Sequence, residues 1–193
     1  MSDPELRPLR ATDAPDVLAA FAAAPDMARQ GDVTGPQSAI AYVERLTETP
    51  GPHLAFAVVH RERLVGLVGL TVDAGNRNGW FWYWMHAGYR GRGWTSRAAA
   101  TIADWALTDG GLQRLELGHR IDNPASGAVA RAAGFIQEGF ERSKLLIDGE
   151  RLDVVAYSRL PADPWPTVPR LAITNPVDGL DGAPANGRSP LTR

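Results

Sequence analysis

The sequence predicts an α/β (α+β) fold: a mixed, mostly antiparallel central sheet with a glycine-rich strand-to-helix loop near its middle. Three observations predict it. The element order reads β-α-α-β-β-β-α-β-α-β-β, in which three antiparallel strands precede a strand–helix–strand crossover. The run Trp84-Met85-His86-Ala87-Gly88-Tyr89-Arg90-Gly91-Arg92-Gly93-Trp94-Thr95 carries an apolar strand through a glycine-rich loop straight into an Ala-rich amphipathic helix. The chain has 193 residues, enough to bury one substantial core.

The elements follow in order. Leu6 to Arg10 reads as a short strand. Thr12 is the expected N-cap of an apolar helix that starts through Asp13-Ala14-Pro15 and runs to about Ala23. Pro25 to Gly35 is a loop, and a second helix runs from Pro36 to Leu46 with Ile40, Val43 and Leu46 on one stripe. His53 to His60 and Leu64 to Asp73 form a hairpin around Arg61-Glu62-Arg63. Trp80 to His86 is the next strand. Trp80, Trp82 and Trp84 alternate on one face, with Phe81 and Tyr83 on the other. That pattern reads either as packing on both sides of a central strand or as an aromatic wall of a cleft. A helix from Trp94 to Asp109 ends at Gly110-Gly111. Leu112 to Gly118 is a strand, and Pro124 to Ala133 a short helix closed by Gly134. Phe135 to Arg142 and Leu152 to Leu160 are the last two strands, with Asp148-Gly149 as a turn signal between them. Residues 1–160 are thus one expected domain. From Pro161 to Arg193 proline, glycine and small polar residues dominate, the composition of a largely disordered tail. The alternative is a docked arm anchored by Trp165 and Leu171.

The glycine loop carries the chemistry. A strand-to-helix turn leaves free backbone N–H groups at the positive end of a helix, and such an end holds phosphate. Gly91 and Gly93 let backbone approach an anion without a Cβ in the way. Arg90 and Arg92 add charge matched to phosphate. Taken alone, the loop reads equally well as a plain turn.

Composition excludes other classes. Net charge is −2 and no Lys/Arg block exists, so no nucleic-acid surface is expected. There is no cysteine, hence no thiolate nucleophile. No metal-ligand cluster is legible, so no metal is expected. The polar start Met-Ser-Asp-Pro-Glu-Leu-Arg and the absence of a long apolar run point to a cytoplasmic protein without a membrane anchor.

The loop Arg90-Gly91-Arg92-Gly93-Trp94-Thr95, in this topology, resembles the Arg/Gln-x-x-Gly-x-Gly/Ala motif of the GNAT acyltransferase superfamily. Thr95 stands where that motif has Gly or Ala. Asp122-Asn123-Pro124-Ala125-Ser126, followed by Arg131-Ala132-Ala133-Gly134-Phe135, looks like the Asn-x-x-Ser…Gly-Phe element of the same superfamily. Many members place a tyrosine acid seven positions after that Asn; here Ala130 stands there. With Ser126 instead, the chain is most similar to the ribosomal-protein N-terminal alanine acetyltransferase branch. Glu138-Gly139 to Arg142 and the segment Asp148 to Asp153 look like that branch too.

The resemblance implies helices on both sheet faces and a strand splay at a CoA site. It implies an N-acetyltransferase that moves an acetyl group from acetyl-CoA directly to a primary amine, either a protein N-terminus or a small amine. Trp84, Met85, His86 and Ala87 would pair with the pantetheine and acyl group, and the N–H groups from Arg90 through Thr95 (Gly91, Arg92, Gly93, Trp94) with the pyrophosphate. Asn123 and Ser126 would also face the donor, although Asn123 equally reads as a helix N-cap. Ser126 is the candidate acid for the departing thiolate. Glu116 and His86 lead the candidate bases, with His119 and Asp122 behind them. A non-catalytic CoA-binding module, or transfer of a longer acyl group such as succinyl, is the alternative. Either a monomer or a homodimer is compatible.

Overall fold

The computed structural model describes residues 3–174. Its elements are β1 (Glu5–Pro8), α1 (Ala14–Ala22), α2 (Pro36–Thr47), β2 (His53–His60), β3 (Arg63–Asp73), β4 (Asn78–Met85), α3 (Trp94–Leu107), β5 (Arg114–Arg120), α4 (Pro124–Ala132), β6 (Ile136–Ile147) and β7 (Glu150–Arg159). The strands make one sheet in the order β1-β2-β3-β4-β5-β7-β6. Every pairing is antiparallel except β4 with β5.

Strand alternation sends side chains to two cores. On one face Phe56, Val58, Phe81, Met85, Leu115 and Leu117 pack under α3 and α4. On the other, Ala57, Val59, Leu67 and Trp84 pack under α1 and α2. Each fully buried Leu or Phe contributes about 1.5–3 kcal/mol by leaving water. In α3 the residues Ala98, Ala99, Ala100, Ala103 and Ala106 are all fully buried, because methyl groups let that helix lie close on the sheet. Trp82 lies across Gly69 so tightly that a Cβ there would sit 2.3 Å from its ring.

Three expectations are corrected. Asp13, not Thr12, organises the start of α1. It is buried, binds the Arg7 guanidinium through both carboxylate oxygens at 2.8 and 2.7 Å, and accepts the Arg10 N–H at 2.9 Å. Ile40 is 49% exposed; the buried stripe of α2 is Ala39, Tyr42, Val43 and Leu46. The strand expected to end at Arg142 continues to Ile147. It does so through an irregularity between Glu141 and Leu145, where Ser143 adopts φ 52° and donates its N–H to Asp153 at 2.7 Å.

For the C-terminal segment, the docked-arm alternative describes residues 161–174, which lie along the body as an arm. Leu171 is 5% exposed and donates its N–H to Thr101 Oγ1 on α3 at 2.9 Å. Ile173 forms a parallel bridge with Leu6, and Thr174 donates to Leu6 O at 2.8 Å. Arg159 lies over the Trp165 ring at 5.1 Å. The expected disorder beyond these positions falls on residues 175–193, which lie outside the described residues. Among the described residues no helix is long and apolar enough to cross a membrane.

Candidate active site

The site begins where two strands stop pairing. β4 and β5 share only Asn78–Trp80 against Arg114–Glu116. Beyond that, Phe81–Met85 and Leu117–Arg120 diverge without pairing to each other, while each stays bonded to its outer neighbour. This is the expected splay. His86 donates its N–H to Val65 on β3 at 2.9 Å. Backbone groups of an antiparallel strand turn alternately to its two sides. Trp84 therefore also turns its backbone to β3, and Tyr83 and Met85 turn theirs into the gap. Of the residues expected to pair with a donor there, Met85 does face the gap, and Tyr83 was not among them.

β4 continues through a short turn, Ala87–Tyr89, into the glycine loop and α3. Gly91 and Gly93 both sit at φ +74°, with no heavy atom within 4 Å of where a Cβ would project. The loop is thus left-handed at two points and open on its outer side. Among the described residues, none of the backbone N–H groups from Gly91 to Ser96 has an acceptor. The segment thus presents six donors without an acceptor at the positive end of a 14-residue helix. That arrangement fits a pyrophosphate. Thr95 sits half-buried in the first turn without disturbing the helix.

The loop's side chains do other work. Arg90 donates Nε to Met85 O at 3.0 Å and Nη1 to Asp26 at 2.9 Å, tying the loop to the segment Pro25–Gln30. Arg92 lies over the rings of Tyr89 and Trp94, 5.2 Å from each centroid. Trp94 is buried and packs on His60 with 4.8 Å between ring centroids. What the loop offers an anion is backbone, and its side chains are turned to scaffolding.

α4 starts opposite the gap. Asn123 accepts the Ser126 N–H through Oδ1 at 3.2 Å and is the N-cap, with Pro124 as the first helical residue. Ser126 meets β4 through Tyr83: the phenol oxygen lies 2.8 Å from Ser126 O and 3.0 Å from Ser126 Oγ. Burial pushes the Tyr83 phenol up to about 12. Sequence reasoning had read Tyr83 as packing. The available signal was a hydroxyl in an apolar strand, which needs a partner when buried.

The candidate bases are largely occupied. His86 Nδ1 accepts the Gly88 N–H at 3.0 Å, the capping role. Glu116 stands at the closed apex of the splay, and Arg114 Nε donates to it at 2.6 Å. The Arg114 guanidinium holds the Glu116 carboxyl below the ordinary carboxylate range. Asp122 is bonded to Arg120 at 2.8 and 3.0 Å. His119 directs Nδ1 to Arg120 O at 2.8 Å, so its bare Nε2 is buried without a partner. It stacks on Tyr157, whose hydroxyl accepts from Arg131 at 3.2 Å. Trp84 donates Nε1 to Tyr42 on α2 at 3.1 Å, while Trp80, on the same face of β4, is 44% exposed. Among the described residues no group of three or more His, Cys, Asp or Glu could hold a metal ion.

Known proteins are similar to this chain in sequence and in fold. The ribosomal-protein-serine acetyltransferase of Escherichia coli (strain K12) is 27% identical over 106 residues, 54% of this chain and 59% of that protein. The chain therefore spans about three fifths of that relative's length. The probable N-acetyltransferase YjcK of Bacillus subtilis (strain 168) is 28% identical over 185 residues, 90% of this chain and 94% of that protein. Among solved structures, RimL, a ribosomal L7/L12 α-N-protein acetyltransferase in complex with coenzyme A, superposes with a TM-score of 0.76 at 21% identity. The match covers 83% of this chain and 95% of that one, a likeness of fold. Residues 5–136 match the family described as "Acetyltransferase (GNAT) domain", and with the splayed strands and the glycine loop in register, the chain belongs to the GNAT acetyltransferase family.

Proposed function

We propose that this chain transfers an acetyl group from acetyl-CoA directly to the α-amine of a protein N-terminus. The observation that supports it most is the open gap between β4 and β5, flanked by the unpaired N–H groups of Gly91–Ser96. Acetyl-CoA supplies an activated acyl carbon and a thiolate leaving group. Backbone N–H groups of Tyr83 and Met85 face the position where the acyl oxygen gains charge, and a fixed donor there lowers the barrier. The amine lone pair forms the new C–N bond, and the C–S bond breaks with its electron pair on sulfur. Ser126 gives sulfur a proton and regains one from the amine nitrogen through solvent. With no cysteine in the chain, a cysteinyl thioester of the enzyme is excluded.

The choice of amine rests on protonation. A lysine amine of pKa about 10.4 is neutral in about one molecule per thousand near pH 7.4, whereas an α-amine of about 7.7–8.0 is neutral in about a quarter. Glu116 is held as a carboxylate by Arg114, and His86 Nδ1 accepts the Gly88 N–H of its own turn. A site this poor in free bases favours the amine that deprotonates itself. The ribosomal-protein relatives support the same acceptor class.

The test is transfer from labelled acetyl-CoA to short peptides near pH 7.4. Peptides with a free N-terminus should be acetylated at least about 100-fold faster than N-terminally blocked peptides carrying lysine. Preference for lysine or for a free small amine would overturn the acceptor. CoA binding with no transfer to any amine would make the domain a binding module.

A further inference from the structure

We infer that Tyr83 is a positioning residue for the Ser126 hydroxyl. Helix α4 has no tyrosine, and the buried Ala130 stands in its last turn. The phenol that reaches Ser126 comes from β4, 43 residues earlier, across the mouth of the splay. It contacts both oxygens of the serine, at 2.8 Å to the carbonyl and 3.0 Å to Oγ. The inference rests on the reading of Ser126 as the acid that meets the departing sulfur.

The proton count defines what Tyr83 does. A carbonyl only accepts, so at rest the phenol proton goes to Ser126 O. The serine hydroxyl then donates to the phenol oxygen and turns lone pairs to the gap. As sulfur gains charge, the phenol proton swings from the carbonyl to Oγ. The serine's hydrogen is released toward sulfur, and Oγ keeps a donor while it gives its proton away. Chains of hydroxyls strengthen one another in this way. Tyr83 therefore aims and supports the serine hydroxyl through its two contacts. Nearby groups do not compete for the phenol: Arg131 is engaged by Tyr157 and His119 Nδ1 by Arg120 O. The serine's own N–H is fixed by Asn123, so only the two hydroxyl rotors need to move.

A double-mutant cycle on the full chain tests this, with kcat, the KM for acetyl-CoA and the melting temperature read for each protein. Ser126→Ala should lower kcat by about 10²–10⁴-fold. Tyr83→Phe keeps the ring and its packing on Phe81, so it should melt as wild type and leave KM within about twofold. Its kcat should fall by about 3- to 10-fold, the worth of one hydrogen bond. Added to Ser126→Ala, Tyr83→Phe should cost nothing more, because its effect runs through the missing hydroxyl. An unchanged kcat in Tyr83→Phe, or the same fold-loss with and without the serine, would overturn the role of Tyr83 alone. An unchanged kcat in Ser126→Ala would overturn the serine as acid, and this inference with it.

Discussion

Gly93→Glu should abolish CoA binding while the domain stays folded. Gly93 is the left-handed residue ahead of α3, and space is open where its Cβ would project. The new side chain therefore meets no clash in the free protein; the left-handed backbone costs about 1–2 kcal/mol. Its carboxylate stands beside the acceptor-free N–H groups of Gly91–Ser96 and competes with phosphate for them. Hydrogen bonds to charged groups are worth about 1.5–3 kcal/mol each, so losing two weakens binding by about 100-fold or more. Calorimetric titration with CoA reads the effect. Gly149→Glu is the control: Gly149 lies in the distant β6–β7 turn at φ +84° with equally open space. It carries the same backbone strain and should bind CoA as wild type does. Wild-type affinity in a folded Gly93→Glu protein would remove the glycine loop from the donor site.

Asp104→Ala should cause the largest loss of stability. Asp104 on α3 accepts Arg159 Nη2 at 2.6 Å, and the Arg159 side chain is only 1% exposed. The same carboxylate receives Arg170 from the C-terminal arm. Arg159 otherwise has Ala133 O at 2.9 Å, and its Nε is already buried without a partner. Removing Asp104 leaves a buried guanidinium uncompensated, which costs about 3–5 kcal/mol. In a domain of this size the melting temperature falls by on the order of 10 °C. Arg170→Ala, which removes the more exposed of the two cations, should cost much less. Calorimetric melting of both variants checks this ordering. Wild-type melting of Asp104→Ala would show that the arm and β7 are held by other contacts.

The fold was legible because it rests on local pattern. Strand alternation, the proline at the start of α4 and the glycine pair before α3 each fix structure within a few residues of themselves. The site was legible as far as backbone went: Gly91, Gly93 and the splayed strand end are where the sequence puts them. Side-chain roles that depend on distant partners were not. Arg90 reads as a phosphate ligand until Asp26, 64 residues earlier, takes its guanidinium. Tyr83 reads as core until Ser126 arrives beside it. The arm was legible only as the alternative to a disordered tail, because four prolines stand among residues 161–174, although Leu171 and Ile173 supply the buried contact and proline lowers the entropy lost on docking. The length of β6 was hidden by the polar run Glu141 to Lys144, which crosses an irregularity in the ladder instead of ending it.

The central claim is that an acyl-CoA lies in the gap between β4 and β5 with its pyrophosphate on the first turn of α3. Amide chemical shifts followed during CoA titration of the isotopically labelled protein test it most directly. The largest changes should fall on Gly91–Ser96 and on Tyr83 and Met85, with Ser126 responding across the gap. Saturable CoA binding that leaves those amides unmoved, and shifts residues of another surface, would contradict it.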